Sequence, residues 1–441
     1  MNLITAIVIA DGSIENVKKS VESIRREQEQ AKITVLYRKP DSVLEDWCEE
    51  QSILKSSFDT DASFARQLRE ALTTDTEDVL LMSSSVQCLP HAIERMQEVL
   101  YREANIGAVI PEIVTQDIIA GRRYFKSLAD YAEKQRHGKV RKVVDVRYQA
   151  VLWKRDFLQK CHIEDSLFYP NNILIDMVVQ GIVEHGYYFY KVENALFEEV
   201  SAEQFVCSTA QAEEKDFHYL DTKWNMGYIL RVPNEELLKL MQSDKTDPYV
   251  LEIGCSGGTN LMEVGNRYPD AHLYGVEINE NAAKMAVRFA ETQVGNIEEK
   301  NLDFGNIKFD YIMFGDVLEH LHDPKGVLEY CQTLLAEHGK IIASIPNLMH
   351  WSVMKVLING FFPYADFGLL DRTHIHFFTY YEMVQMFEEA GYAVEQVEVS
   401  GREACTPEAQ QFIDKLMNIS ESAEEFMFST FQYRILAEKR Q

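Results

Sequence analysis

No apolar run in this chain comes near the roughly 20 residues that span a bilayer, so no transmembrane helix is expected. No basic flank precedes the first apolar segment, residues 3–10, which therefore reads as a buried strand rather than a secretory leader. Cysteines are few: seven, odd in number, scattered and without CxxC spacing. That excludes a disulfide framework, fits a reducing cytoplasmic compartment, and argues against a zinc site, so no metal is expected. Basic charge is also scarce, with 44 Lys and Arg against 70 Asp and Glu and a formal net charge of -26. A surface of that sign repels polyphosphate, so nucleic acid and anionic membranes are poor partners. The densest basic stretch, residues 134–142, is short and mixed and reads as solvated surface. There is no 20–50-residue repeat and no low-complexity tract.

What is present suits a soluble α/β protein. A length of 441 residues exceeds one ordinary core, and 46% hydrophobic with 26% charged residues is a globular composition. The first 120 residues or so alternate strand signals (3–10, 33–37, 78–82, 106–114) with helical periods (14–27, 63–72, 90–102). Residues 115–199 are less regular, with strand-like runs at 143–153 and 187–192. The acid-rich segment 201–216 reads as a linker, and 218–241 as a helical lead-in. A second alternation follows: strands at 249–253, 272–277, 309–314, 340–345, 393–399 and 430–438, and helices at 281–292, 324–337 and 379–390. Alternation of this kind predicts mostly parallel sheets faced by helices.

The most informative stretch is Glu252-Ile-Gly254-Cys-Ser256-Gly257-Gly258, a buried strand breaking into a glycine turn. At the tip of the next strand stands Glu277, placed where an acid can accept both hydroxyls of a ribose. The spacing is not GxGxxG, which argues against NAD or FAD. At these residues the chain resembles class I S-adenosylmethionine-dependent methyltransferases. Later blocks extend the likeness over roughly 220–441: Phe309–Pro324, His338–Asn347 and Asp371–Thr379, the last resembling a branch associated with bacterial surface sugars. The resemblance implies that S-adenosyl-L-methionine is the cofactor. It counts Glu252 among the cofactor-binding residues and places Gly254, Ser256 and Gly257 at the methionine end, Glu277 on the ribose and Ile278 against the adenine. It puts Asn296 and Ile297 at the adenine edge, and Gly315 and Asp316 near the sulfonium. Ser256 departs from the family, which has glycine there.

Removing a proton from an acceptor hydroxyl suits a neutral histidine. His320 and His374 are the candidates, with Asp371 orienting one of them; His350 follows the fifth strand. Trp351, Phe361, Phe362 and Tyr364 form a candidate apolar wall. Residues 1–200 resemble family 2 glycosyltransferases more weakly. Ser83, Ser84 and Ser85 stand where that family has a metal-binding Asp-x-Asp, and Asp176 lies near the place of its base. The resemblance therefore implies a degenerate domain. The expected architecture is α/β with two doubly wound domains. The first, 1–200, would be a nucleotide-diphosphate-sugar-transferase-like fold and the second, 220–441, a Rossmann-like methyltransferase fold, with a linker at 201–219. The expected function is cytoplasmic O-methylation of a sugar nucleotide, glycan or glycoconjugate, possession of a second domain allowing a homodimer. A bifunctional glycosyltransferase/methyltransferase and a non-catalytic cofactor-binding adaptor are the alternatives.

Overall fold

The structure, a computed structural model, describes residues 2–38, 41–58, 61–73, 76–120, 125–135, 137–164, 166–201, 210–226, 232–400 and 406–440. The chain divides into two compact units, Met1–Val232 and Pro233–Gln441. Among the described residues no helix is long and apolar enough to cross a membrane.

The first unit is built on a nine-stranded mixed sheet. Its strands are β1 (Ile4–Ile9), β2 (Lys32–Arg38), β3 (Leu54–Phe58), β4 (Asp78–Ser83), β5 (Val86–Cys88), β6 (Ile106–Val114), β7 (Val140–Val143), β8 (Ala150–Trp153) and β9 (Tyr188–Glu199). The order is β3-β2-β1-β4-β8-β6-β9-β5, with β7 on β9. The pairs among β1 to β4 are parallel, while β8 runs antiparallel to both β4 and β6. β1 and β4 are buried along their whole length, which explains why they read as continuous apolar runs rather than alternating ones. Helix Ile14–Glu27 starts where the Ser13 hydroxyl accepts from Asn16 N (3.3 Å) and buries Val17, Val21 and Ile24. Each such side chain removed from water contributes about 1.5–3 kcal/mol.

The second unit holds a seven-stranded sheet: β10 (Tyr249–Ile253), β11 (His272–Glu277), β12 (Glu291–Val294), β13 (Phe309–Gly315), β14 (Leu335–Pro346), β15 (Tyr392–Ser400) and β16 (Gln432–Lys439). The order is β12-β11-β10-β13-β14-β16-β15. The first five strands are parallel, and β16 is antiparallel to both its neighbours. Helices Thr259–Arg267, Glu280–Ala286 and Pro324–Leu334 make the crossovers. Strand order reverses between β10 and β13, so the chain leaves their carboxyl ends in opposite directions and opens a crevice there. Fully buried Leu251, Ile312, Phe314, Ile341 and Ala343 form the core beneath it.

Three expectations need correction. The helix foreseen over 281–292 stops at Ala286, and the polar run Glu291–Val294 pairs at the sheet edge as β12. The lead-in foreseen over 218–241 is not one helix. Ala210–Trp224 lies in the first unit, Glu235–Leu238 is a single turn in the second, and residues 227–231 fall outside the described residues. The linker foreseen over 201–219 falls partly (202–209) outside the described residues, and from Ala210 onward it is helical. The reason is Asp216. Its carboxylate is buried and accepts from Phe168 N (2.9 Å), Tyr169 N (2.8 Å) and Asn172 Nδ2 (3.1 Å) at the start of helix Pro170–His185. Acid-rich composition signalled solvent; one of those acids is buried and ties its helix to the segment that leads into another.

Candidate cofactor pocket and histidine cluster

The glycine turn leaves β10 through Gly254, whose φ is +69° and where an added Cβ would stand 2.6 Å from Val317 Cγ2. Only glycine meets both demands. Gly254 N and Cys255 N both donate to Val276 O (2.8 and 3.1 Å), tying the turn to the end of β11. Ser256 holds φ +48°, a left-handed conformation that disfavours any side chain. Its backbone N–H donates to Glu277 Oε2 (2.8 Å), and Asn279 N donates to Oε1 (2.8 Å). The Glu277 carboxylate is thus gripped from both sides at the strand tip. Asn279 in turn caps helix Glu280–Ala286 through its Oδ1.

Glu252, one strand inward, is fully enclosed. Its Oε1 accepts from Asn260 Nδ2 (2.7 Å), and Oε2 has no partner among the described residues. Burial pushes its carboxyl up to about 8, and the nearby Glu277 charge adds to the rise while the Asn260 bond opposes it. Asn260 also accepts from Asn234 N (2.8 Å), which links the segment before the sheet to the turn. Neither asparagine was foreseen from the sequence; an amide two residues into the helix after the turn was the available signal.

The remaining pocket residues divide. Ile278 is exposed at the rim and open to a planar ring. Gly257 packs on Met285, and Gly315 leaves room, its nearest neighbours to an added Cβ being Leu237 Cδ2 at 3.5 Å and Asn260 Nδ2 at 3.8 Å. Asp316 lies at the mouth. Its N–H donates to Ser344 Oγ (3.0 Å) and its carboxylate accepts from Gln432, while desolvation raises its carboxyl above the usual range. Asn296 Oδ1, expected to accept from an adenine amine, accepts from Glu298 N (3.0 Å) as the cap of a short turn and keeps its second lone pair for a ligand. Ile297 turns its side chain into the core, so only its backbone remains for a ligand.

The histidines foreseen as catalytic come together. The rings of His320 and His374 lie 4.8 Å apart at 70°. The loop carrying His374 is held by Ile375 N and His376 N, which both donate to Glu319 O (2.9 and 3.0 Å). Asp371 touches neither imidazole. Its Oδ1 accepts from Thr373 N (2.7 Å) and Thr373 Oγ1 (2.6 Å), and Thr373 in turn meets His320 Nδ1 through its carbonyl (3.2 Å) and hydroxyl (3.3 Å). The expected orientation of a histidine by Asp371 is therefore indirect, and Thr373 is its missing link. Burial would raise the Asp371 carboxyl, but the Thr373 bonds and the two histidines outweigh it and hold it low. Burial pulls the His374 imidazole below its usual value, with His320 adding to the fall.

Glu319 was not foreseen as a site residue. It is only 1% exposed, and neither carboxylate oxygen has a partner among the described residues. Burial, reinforced by Asp316, raises its carboxyl well above the ordinary range. Ligand atoms of Glu319, His320 and His374 all lie within 4.8 Å of one another. His350 is a different kind of histidine. Enclosed against Trp351 and Phe431, it is held down to about 4 by burial and stays neutral. Trp351 packs beside Ile413, Leu416 and Phe428, away from the expected wall. Phe361 and Tyr364 are exposed; Phe362 meets Tyr364 and Phe377 edge-on, and Phe377 meets His374 at 5.9 Å.

In the first unit, the triple serine faces an acid. Asp11 accepts from Ser83 Oγ (2.8 and 2.6 Å), Ser84 Oγ (2.8 Å), Ser84 N (3.0 Å) and Tyr148 OH (3.2 Å). Asp176 is buried on helix Pro170–His185 and accepts from Lys223 Nζ (2.7 Å) and Trp224 Nε1 (2.8 Å).

Comparison with known proteins bears on the second unit. Residues 225–397 match the family model described as a methyltransferase domain. A ubiquinone biosynthesis O-methyltransferase of Acinetobacter baylyi is 27% identical over 118 residues, which cover 25% of this chain and 49% of that protein. One of the same name from Coxiella burnetii is 27% identical over 169 residues, covering 37% of this chain and 71% of that protein. The chain thus spans about half the length of the first of these relatives. A solved S-adenosylmethionine-dependent methyltransferase of Archaeoglobus fulgidus aligns at 17% identity and a TM-score of 0.34, covering 51% of this chain and 99% of that one.

Residues 225–397 are therefore similar to a methyltransferase domain. The cofactor that this likeness implies is S-adenosyl-L-methionine. The residues present fit that molecule. The cofactor bears a sulfonium and an ammonium, and the crevice offers the carboxylates of Glu252, Glu277 and Asp316, one of them with an unpartnered buried oxygen.

Proposed function

We propose that the second unit methylates a hydroxyl oxygen on a sugar or glycoconjugate, within cytoplasmic steps of bacterial surface-glycan synthesis. When bound, the cofactor supplies a methyl group already activated on sulfur. The protein's part is to hold the cofactor, align the acceptor and remove its proton. Glu277 holds the ribose through a carboxylate fixed by Ser256 N and Asn279 N. Glu252 takes the ammonium end, Ile278 lies along the adenine, and Gly254, Ser256, Gly257, Gly315 and Asp316 line the path between.

The observation that carries the reading is the Glu319–His320–His374 cluster beside Asp316. It is a set of groups able to take a proton, placed just beyond the strand whose end lines the crevice. In the simplest form an imidazole, His374 or His320, takes the proton directly, and Asp371 holds Thr373 and through it His320. The aromatic rings of Phe361, Phe362 and Tyr364 give the acceptor an apolar face to lie on, as sugar rings prefer.

The first unit supports the same reading from the other side. Its resemblance to family 2 glycosyltransferases, with the sheet order around β1, suggests a nucleotide-diphosphate-sugar-transferase-like domain that binds a glycan or a second copy of the chain. Its serines and Asp11 satisfy one another, and Asp176 is engaged by Lys223 and Trp224. Neither set is left free to hold a diphosphate-bound metal or to act as a base, which disfavours the bifunctional alternative.

A second reading has one observation in its favour. The curated relatives act in ubiquinone biosynthesis by name, so an acceptor of that pathway competes with a sugar. Radiolabelled cofactor with parallel panels of sugar nucleotides, glycans and ubiquinone-pathway phenols separates the two. The expected result is label on a sugar hydroxyl, lost in His320→Ala and His374→Ala with cofactor affinity kept. Label on phenols alone selects the second reading, and unchanged turnover in both variants removes the cluster from the chemistry.

A further inference from the structure

The Glu319–His320–His374 cluster has a property that an imidazole base does not require. Among the described residues both Glu319 oxygens are buried without a hydrogen-bond partner, and so is His374 Nδ1. Leaving a buried carboxylate bare costs several kcal/mol, so proteins rarely do it without a ligand in view. His320 has one nitrogen turned to the backbone, Nδ1 to Thr373 O (3.2 Å). A ring N–H given to a carbonyl fixes the tautomer and leaves the opposite nitrogen with its lone pair free. That is the arrangement of histidines that bind metals. Asp371 completes the pattern one step out by holding Thr373.

We infer that Glu319, His320 and His374 form a binding site for one divalent cation, built from one carboxylate and two imidazoles. The inference rests on the methyl-transfer reading and changes how the acceptor loses its proton. Imidazole and carboxylate donors select Mn²⁺, Co²⁺ or Zn²⁺ over Mg²⁺, which prefers an all-oxygen shell. Bonds of about 2.0–2.2 Å in a tetrahedral shell set neighbouring ligand atoms about 3.4 Å apart, so a pair at the 4.8 Å limit has to close by about 1.4 Å on binding. Three protein ligands leave further positions open. An acceptor hydroxyl placed there would be acidified and would release its proton to solvent water, so neither histidine would act as the base. Scattered cysteines had argued against a metal, but that argument reaches only thiolate sites.

The test uses untagged full-length protein, stripped with EDTA and desalted, titrated calorimetrically with ZnCl₂, MnCl₂ and MgCl₂. One site per chain for Zn²⁺ and Mn²⁺ and no heat for Mg²⁺ is expected. Glu319→Gln and His374→Ala should each weaken binding by more than about 100-fold, and Thr373→Val by about 10-fold as an outer-shell change. Affinity for S-adenosylmethionine, measured on the same samples, should stay unchanged and reports that each variant is folded. Failure of Zn²⁺ and Mn²⁺ to bind while the cofactor still binds overturns the cation site and leaves methyl transfer standing. Metal binding that survives in both ligand variants places the ion elsewhere and also overturns it. Failure of the cofactor itself to bind overturns the methyl-transfer reading instead.

Discussion

The two units differ in what some of their buried acids lack. In the first, Asp78 accepts from Arg155 N and Tyr101 OH, Asp176 from Lys223 and Trp224, and Asp216 from two backbone N–H groups and Asn172. In the second, Glu252 keeps one oxygen free and Glu319 keeps both. A buried carboxylate with a full set of donors holds structure together. One left bare raises the folding cost and is retained where a ligand supplies the missing partner. Resemblance to an enzyme family is present in both halves; spare bonding capacity at buried carboxylates is confined, among the described residues, to one.

Substitutions can sharpen or break that contrast. The largest effect is expected at the histidines. His374→Ala or His320→Ala should lower methyl transfer by about 10²–10⁴-fold in single-turnover assays, whether the imidazole takes the proton itself or holds the cation that acidifies the hydroxyl. Equal loss from a change in the first unit would break the contrast. Next, Glu277→Ala should weaken S-adenosylmethionine binding by about 100-fold, since charge-assisted hydrogen bonds are worth roughly 1.5–3 kcal/mol each; calorimetry reads it directly. Asp176→Ala should leave transfer untouched and destabilise the first unit by about 3 kcal/mol, the low end for breaking a buried ion pair because Lys223 is partly exposed. Denaturant unfolding followed separately in the two units would show it.

A smaller effect concerns pH. The Glu252 carboxyl sits higher in the folded protein than in the unfolded chain. The folded state then binds more protons between about pH 4.5 and pH 8, so Glu252 contributes stability below that window and loses it as pH rises through it. Cofactor-free protein should show a falling denaturant midpoint between pH 5 and pH 8, and Glu252→Gln should flatten the slope. The smallest effect is at Ser256. Glycine there relieves a left-handed residue and should stabilise the second unit by about 1 kcal/mol, measured as a small rise in Tm with cofactor binding intact.

Much of the sheet was legible because its inner strands are bounded apolar runs. β10 and β11 match their expected limits, Tyr249–Ile253 and His272–Glu277. What the sequence hid lies at edges and in folded-over loops. β3 (Leu-Lys-Ser-Ser-Phe) and β12 (Glu-Thr-Gln-Val) are edge strands with too little apolar content to show a period. Helix Pro170–His185 is buried on nearly every face, so it lacks the amphipathic stripe that marks a surface helix. In the site, Glu277 and the two histidines could be named from motifs. The bareness of Glu319 could not, because it depends on where the loop at residues 371–376 lands, and that is set by two backbone N–H groups from Ile375 and His376.

The double grip on Glu277 has a consequence for how quickly the pocket can be used. An unbound glutamate ordinarily samples several rotamers, and freezing one on binding costs about 0.5–1.5 kcal/mol. Here Ser256 N and Asn279 N have already frozen it. Cofactor and demethylated product should therefore meet the same rigid carboxylate, and exchange of one for the other should proceed without waiting for a side chain to find its place.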